Sequence, residues 1–153
     1  MADQPGLQHL ASLPLPIDVL PHRPPFLFLD GVTAYEAGAT SRGFWHLTGD
    51  EWFFPGHFPG RPTLPGVLQA EAIAQLGAYA VLLDERYATK LPLFGGLGKA
   101  KFRRQVQPGD VLELEVTLDQ LSARAGRGHG RASVDGSTAC ECELLFVLVD
   151  RTD

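Results

Sequence analysis

Cysteine is scarce in this chain, and so is any excess of positive charge. The only two thiols, Cys140 and Cys142, lie two apart in a run of strand character, so their side chains leave adjacent pleats in the same direction. That spacing suits no staple, and two thiols alone make no four-ligand zinc site. They read as small buried hydrophobes. Lys and Arg number 13 against 18 Asp and Glu, a formal net charge of −5 with a pI near 5.5. No global electrostatic attraction to nucleic acid or an anionic membrane follows, and an anionic partner would need a local basic patch. The opening stretch MADQPGLQHLASLPLPIDVL has no basic segment leading into an apolar one, so a cytoplasmic location is the expectation. Solenoid repeats and low-complexity tracts are also missing.

What is present is a chain of 153 residues, 44% hydrophobic, long enough for one domain with a sizeable core and too short to expect two. Residues 1–16, punctuated by proline and glycine, read as a poorly ordered lead-in, and residues 17–150 as the single domain. FLFLDGVTAYE (26–36) and TSRGFWHL (40–47) read as a hairpin turning at AGA. Residues 64–84 open with Pro65 and continue in Ala, Leu, Gln and Glu, which predicts the one long helix. That helix has almost no polar face, so it is expected to be buried all round. A membrane span is disfavoured by Gln69, Glu71 and Gln75 in its first turns. After it, VLELEVTLDQL alternates with the period of a half-buried strand, PGD is a turn, the glycine-rich ARAGRGHG separates it from RASVDG, and STACECELLFVLVD is a further strand. Two strands, one helix and about four strands argue for α+β with an antiparallel sheet.

Two residues stand out against this background. Glu71 is a carboxylate on an otherwise apolar helix, where burial demands a partner or a protonated state. Gln75, four residues on, shares its face and is placed to hydrogen-bond it. The competing reading is a glutamate that reaches solvent at the helix start. His57 sits in PGHFPGRPTLPG, a loop stiffened by proline just ahead of the helix; alone, it would read as a packed loop histidine. Around Gly66 the first-turn N–H groups lack intrahelical acceptors and carry the positive end of the helix dipole, a ready site for an oxygen gaining negative charge. A near-neutral base, a carboxyl group raised by burial and such a donor suit proton abstraction beside a carbonyl with acid-assisted loss of a leaving group.

PHRPPFLFLD (21–30), GDEWFFPGHFPGRPTLPGVLQAEAIAQ (49–75) and GKAKFRRQVQPGDVLELEV (98–116) resemble the 3-hydroxyacyl-[acyl-carrier-protein] dehydratases of the FabZ type, from about Ile17 to Asp150. The resemblance implies a hot-dog fold, a long central helix wrapped by a curved antiparallel sheet. It implies His57 as the base that removes the C2 proton, Glu71 as the acid that protonates the departing hydroxyl, and the Gly66 N–H as the donor to the thioester oxygen. It further implies that the Thr63 carbonyl holds the imidazole and that Gln75 accompanies the acid. Glutamate at position 71 points to the branch that dehydrates without isomerising the double bond. Pro24 and Gly31 depart from the usual tyrosine and arginine of the first motif, and His22 within it reads as structural.

The resemblance also implies an acidic acyl carrier protein as partner, for which GKAKFRRQ offers Lys99, Lys101, Arg103 and Arg104 with no acid among them; Arg127 and Arg131 could extend the patch. Lys99, Lys101 and Arg103 are expected on one strand face, which could equally be an ordinary solvated one. No metal or organic cofactor is implied. Exposed edge strands argue for at least a homodimer, and the resemblance adds an active site at the dimer interface and a possible trimer of dimers. Rival readings are a thioesterase or CoA-linked hydratase on the same fold, and a non-catalytic acyl- or carrier-binding subunit.

Overall fold

The computed structural model of the chain describes residues 13–151. After a short helix, α1 (Pro16–Val19), come β1 (Gly31–Glu36), β2 (Thr40–His46), the long helix α2 (Gly66–Leu82) and then β3 (Lys90–Phe102), β4 (Val111–Leu121), β5 (Ala125–Val134) and β6 (Ser137–Asp150). The six strands form one antiparallel sheet in the order β1-β2-β4-β5-β6-β3. This is the α+β arrangement that the element order predicts, with its four strands after the helix. Most of the lead-in expected over residues 1–16 lies outside the described residues. Within them, the Pro14 carbonyl accepts a 2.7 Å hydrogen bond from the Tyr79 hydroxyl on α2.

Helix α2 is where the core forms. Pro65 stands at its N-cap, and the Pro65 carbonyl accepts from the Leu68 and Gln69 N–H groups. From Gln69 to Leu82 every residue is buried except Glu71. The sheet covers one side of the helix, where Leu112, Leu114 and Val116 of β4 alternate inward as their spacing predicts. Segment 14–28 crosses another side, tied down through Tyr79 and Gln75. None of the described helices is long and apolar enough to cross a membrane.

Two expectations need correction. Residues 26–30 are not strand. Their backbone groups are drawn instead to the helix side chain Gln75, which takes the Phe28 N–H and gives a proton to the Phe26 carbonyl, and to Phe44, whose carbonyl accepts from Asp30. The glycine-rich run 126–130 is not a connector but the first half of β5. Gly126, Gly128, Gly130 and Ala132 occupy its buried face. A Cβ on Gly130 would lie 2.3 Å from Ile73 Cγ2 and 3.0 Å from the Glu115 carbonyl oxygen, so glycine lets the helix settle against the sheet at this point. The two cysteines meet their expectation, being buried and unpaired on β6.

Overpacking at such a contact costs about 1–3 kcal/mol. Gly130→Ala should therefore lower the denaturant midpoint of unfolding by a corresponding amount. An Ile73→Ala background should relieve part of that penalty but not all, because the backbone oxygen remains in the way. Additive losses in the double variant would show that Ile73 is not the obstacle.

Candidate active site

The loop before α2 fixes His57 through backbone geometry. The short 3-10 turn Phe54–Gly56 delivers it, with the His57 N–H bonded to the Phe54 carbonyl at 3.2 Å. The Thr63 N–H returns to the His57 carbonyl at 2.9 Å, closing the loop, and Phe58 and Arg61 exchange hydrogen bonds across its tip. The half-buried imidazole stacks on the Phe58 ring. Its Nδ1 lies 2.8 Å from the Thr63 carbonyl oxygen. A carbonyl can only accept, so Nδ1 carries the proton and Nε2 presents a lone pair. This is the contact expected of Thr63.

Gly66 opens the helix under the ring of Phe102, 2.9 Å from where its Cβ would stand. No side chain caps this end, and the N–H groups of Gly66 and Val67 find no acceptor among the described residues. They remain available to an oxygen approaching along the helix axis.

Between Gln69 and Leu82, Glu71 is the one residue of the helix that is not buried. Its side chain is 20% exposed, and burial pushes its carboxyl above the usual range, opposed by the hydrogen bond from Gln75. Gln75 Nε2 donates to Glu71 Oε1 at 3.1 Å and to the Phe26 carbonyl at 3.1 Å, while its Oε1 accepts from the Phe28 N–H at 2.8 Å. Because the Phe28 N–H can only donate, the amide orientation is determined. The expected Glu71–Gln75 pair is thus present, and it also staples the N-terminal segment to the helix. Within the chain no hydrogen bond or ion pair joins His57 to Glu71.

Sequence reasoning missed the neighbour of His22: read as structural, the residue lies with Nε2 3.7 Å from Glu71 Oε1. No local signal marks this, since the first motif reaches the helix only across long sequence separations, 47 residues in the case of Phe28 and Gln75.

The basic segment is less free than its sequence suggests. A bulge between Gly98 and Lys101, with Lys99 at φ +46°, interrupts simple alternation. The sheet then supplies the acids that the segment lacks. Lys99 lies 3.5 Å from Glu143, and Arg103 bonds Glu141, whose carboxyl it holds below its ordinary range. Arg104 donates to the Val134 carbonyl. Arg42, Glu115, Arg131, Glu141 and Lys101 stand directly opposite one another across five strands, alternating in sign. Lys101 and Arg104 are the members of the predicted patch without a carboxylate within 4 Å among the described residues, and of the two Arg104 is engaged by the Val134 carbonyl. Two cavities, of about 970 and 660 Å³, lie on the outer face of the sheet along this ladder and beside Arg127, and include neither His57 nor Glu71. They are solvated troughs over charged strands, remote from the acid and the base.

Residues 20–143 match the family described as the FabA-like domain. The chain belongs to that family. Within it, the chain is 49% identical over 135 residues to the 3-hydroxyacyl-[acyl-carrier-protein] dehydratase FabZ of Moorella thermoacetica, covering 88% of this chain and 94% of that one. The likeness to the FabZ of Clostridium novyi is also 49%, over 131 residues, with 86% and 92% covered. Among solved structures, the dehydratase heterocomplex ApeI:P of Xenorhabdus doucetiae superposes with a TM-score of 0.77 at 21% identity, covering 91% of this chain and 94% of that one. A mutant thioesterase from Pseudomonas aeruginosa follows at TM-score 0.63 and 16% identity, with 82% and 84% covered. These structural likenesses establish the hot-dog fold.

Proposed function

We propose that the chain is a FabZ-type hydro-lyase that reversibly dehydrates 3-hydroxyacyl thioesters carried on acyl carrier protein to trans-2-enoyl thioesters, in fatty acid or related polyketide-like acyl-chain synthesis. The observation that carries the reading is the hydrogen bond from His57 Nδ1 to the Thr63 carbonyl, which leaves Nε2 free to take a proton from a substrate. The 49% identity to curated FabZ dehydratases supports the same reaction.

In this reading Nε2 of His57 takes the C2 proton while the Gly66 N–H binds the thioester oxygen as it gains charge. The freed electron pair becomes the C2–C3 double bond, the C3–O bond breaks, and Glu71 gives its proton to the departing hydroxyl, releasing water. The imidazolium and carboxylate left behind return to their starting states by proton exchange with solvent. Acid, base and N–H donor suffice, so no cofactor is proposed, and the compartment proposed is the cytoplasm.

Family resemblance takes His57 from one subunit and Glu71 from the other, so we assign each site to two subunits of a homodimer. The free edge of β3 supports this, because it ends the sheet and carries exposed Leu93, Phe94 and Leu97. Covering such an edge with a second copy removes an aggregation liability. A trimer of these dimers belongs to the same reading. For the carrier protein we propose docking at Lys99, Lys101, Arg103 and Arg104, with Lys101 the cation freest to meet an acidic partner.

The direct test presents a crotonyl thioester on carrier protein and on CoA. Hydration on carrier protein is expected, and release of free thiol would point to a thioesterase instead. His57→Ala and Glu71→Gln should each lower turnover by about 10² or more with the fold retained; survival of activity within a few-fold would make the residue structural.

Mixing those two inactive variants tests the shared site. Random pairing leaves about half the dimers mixed, each with one intact site of two, so about a quarter of the original activity should return. A mixture that stays inactive despite demonstrated subunit exchange would assign both residues to one chain.

Lys101→Glu should weaken use of carrier-protein substrates while sparing short thioester analogues, with the difference shrinking at high salt. Equal loss for both substrates would remove Lys101 from docking.

A further inference from the structure

We propose that His22 is a positioning residue for Glu71, presenting its Nε2–H dipole to Oε1 so that the transferable proton rests on Oε2. The chemistry of this inference rests on the dehydratase reading above, whereas its geometry does not. His22 Nε2 lies 3.7 Å from Glu71 Oε1, and both side chains are about four-fifths buried. Gln75 already donates to that same oxygen at 3.1 Å. Gln75 thus makes the hydrogen bond to Oε1, His22 Nε2 stands just beyond hydrogen-bond length of the same oxygen, and Oε2 has no hydrogen-bond partner among the described residues.

The other ring nitrogen decides the tautomer. His22 Nδ1 is buried without a hydrogen-bond partner. A neutral imidazole carries one proton, and on Nδ1 it would be a buried donor with no acceptor, the arrangement that folded proteins avoid most consistently. On Nε2 it faces a carboxyl oxygen. A doubly protonated ring would strand the Nδ1–H as well. Burial, and after it the adjacent Arg23, lower the affinity of His22 for a second proton. Arg23 itself turns away, donating to the Leu20 and His22 carbonyls.

Among the described residues, no charged or titratable side chain other than His22 lies within ion-pairing distance of Glu71; in the proposed dimer the second subunit's His57 would face it across the substrate. With Oε1 hydrogen-bonded by Gln75 and faced by the His22 N–H, it stays an acceptor whether Glu71 is neutral or ionised. The proton is then held on Oε2 and leaves from there to the C3 hydroxyl. The carboxylate that results keeps the Gln75 hydrogen bond and lies beside the His22 N–H dipole, so His22 offsets part of the cost of ionising a buried carboxyl.

The test follows Glu71 directly, by carboxyl-carbon NMR of glutamate-labelled protein, with the resonance assigned by its absence in Glu71→Gln. His22→Leu removes the donor and should raise the Glu71 titration midpoint by about half a unit to one unit. His22→Gln, whose amide nitrogen can occupy the place of Nε2, should bring it back to within about 0.2 units of the unmodified chain. An unmoved midpoint in folded His22→Leu, or equal shifts in the two variants, would overturn the proposal. Should His22→Leu not fold, nitrogen NMR of His22 in the unmodified chain still decides: a proton on Nε2 is expected, and one on Nδ1 overturns it. Neither readout uses a substrate. Failure to hydrate any enoyl thioester would sink the dehydratase reading and leave the coupling of His22 to Glu71 to be judged separately.

Discussion

Burial of α2 on every side is the constraint from which the rest follows. A helix enclosed by one curved sheet and the crossing N-terminal segment needs small residues wherever backbone approaches backbone. Gly130 answers that need on β5 opposite Ile73, and Gly77 answers it on the helix itself, where a Cβ would stand 2.8 Å from Phe146 Cζ. The same enclosure fixes the electrostatics. A carboxyl group on this helix loses part of its hydration, so burial raises the affinity of Glu71 for its proton.

Ser41, Gln75 and Tyr79 inside that enclosure each have a defined hydrogen-bond partner. Gln75 spends all of its useful hydrogen-bonding capacity, binding the acid with one hydrogen and the first motif with the other hydrogen and its oxygen. Losing it would leave a buried backbone N–H without an acceptor as well as a carboxyl group without a donor. His57 is held differently, by a loop whose own backbone bonds close around it. The acid thus owes its position to the core and the base owes its position to a proline-stiffened loop.

How far the sequence could be read depended on the range of the forces involved. The helix, the 37–39 and 108–110 turns and the inward alternation of β4 are local matters of periodicity and turn chemistry, and each lies where its residues predict. The Glu71–Gln75 pair was legible because it spans one helical turn, and the His57–Thr63 contact because the motif resemblance pointed to it. Where reading failed, a distant partner had intervened. Residues 26–30 satisfy Gln75 and Phe44 rather than extending β1, glycines that resemble a linker are a strand fitted to a helix, and Glu141 and Glu143 reach the basic segment only through strand pairing. His22 belongs to this last group, since nothing near it in sequence announces the carboxyl group it faces.

The placement of acid and base on such different supports has a consequence for how the site opens. Segments of a folded chain expose their backbone at free energies that range from near zero for loops to the full unfolding energy for the innermost helix or strand. Amides around Glu71, on the most enclosed element of the molecule, belong at the slow end of hydrogen exchange, while those of the exposed loop tip after His57 belong at the fast end. Heating or mild denaturant would accordingly disturb the alignment of the base long before it displaced the acid.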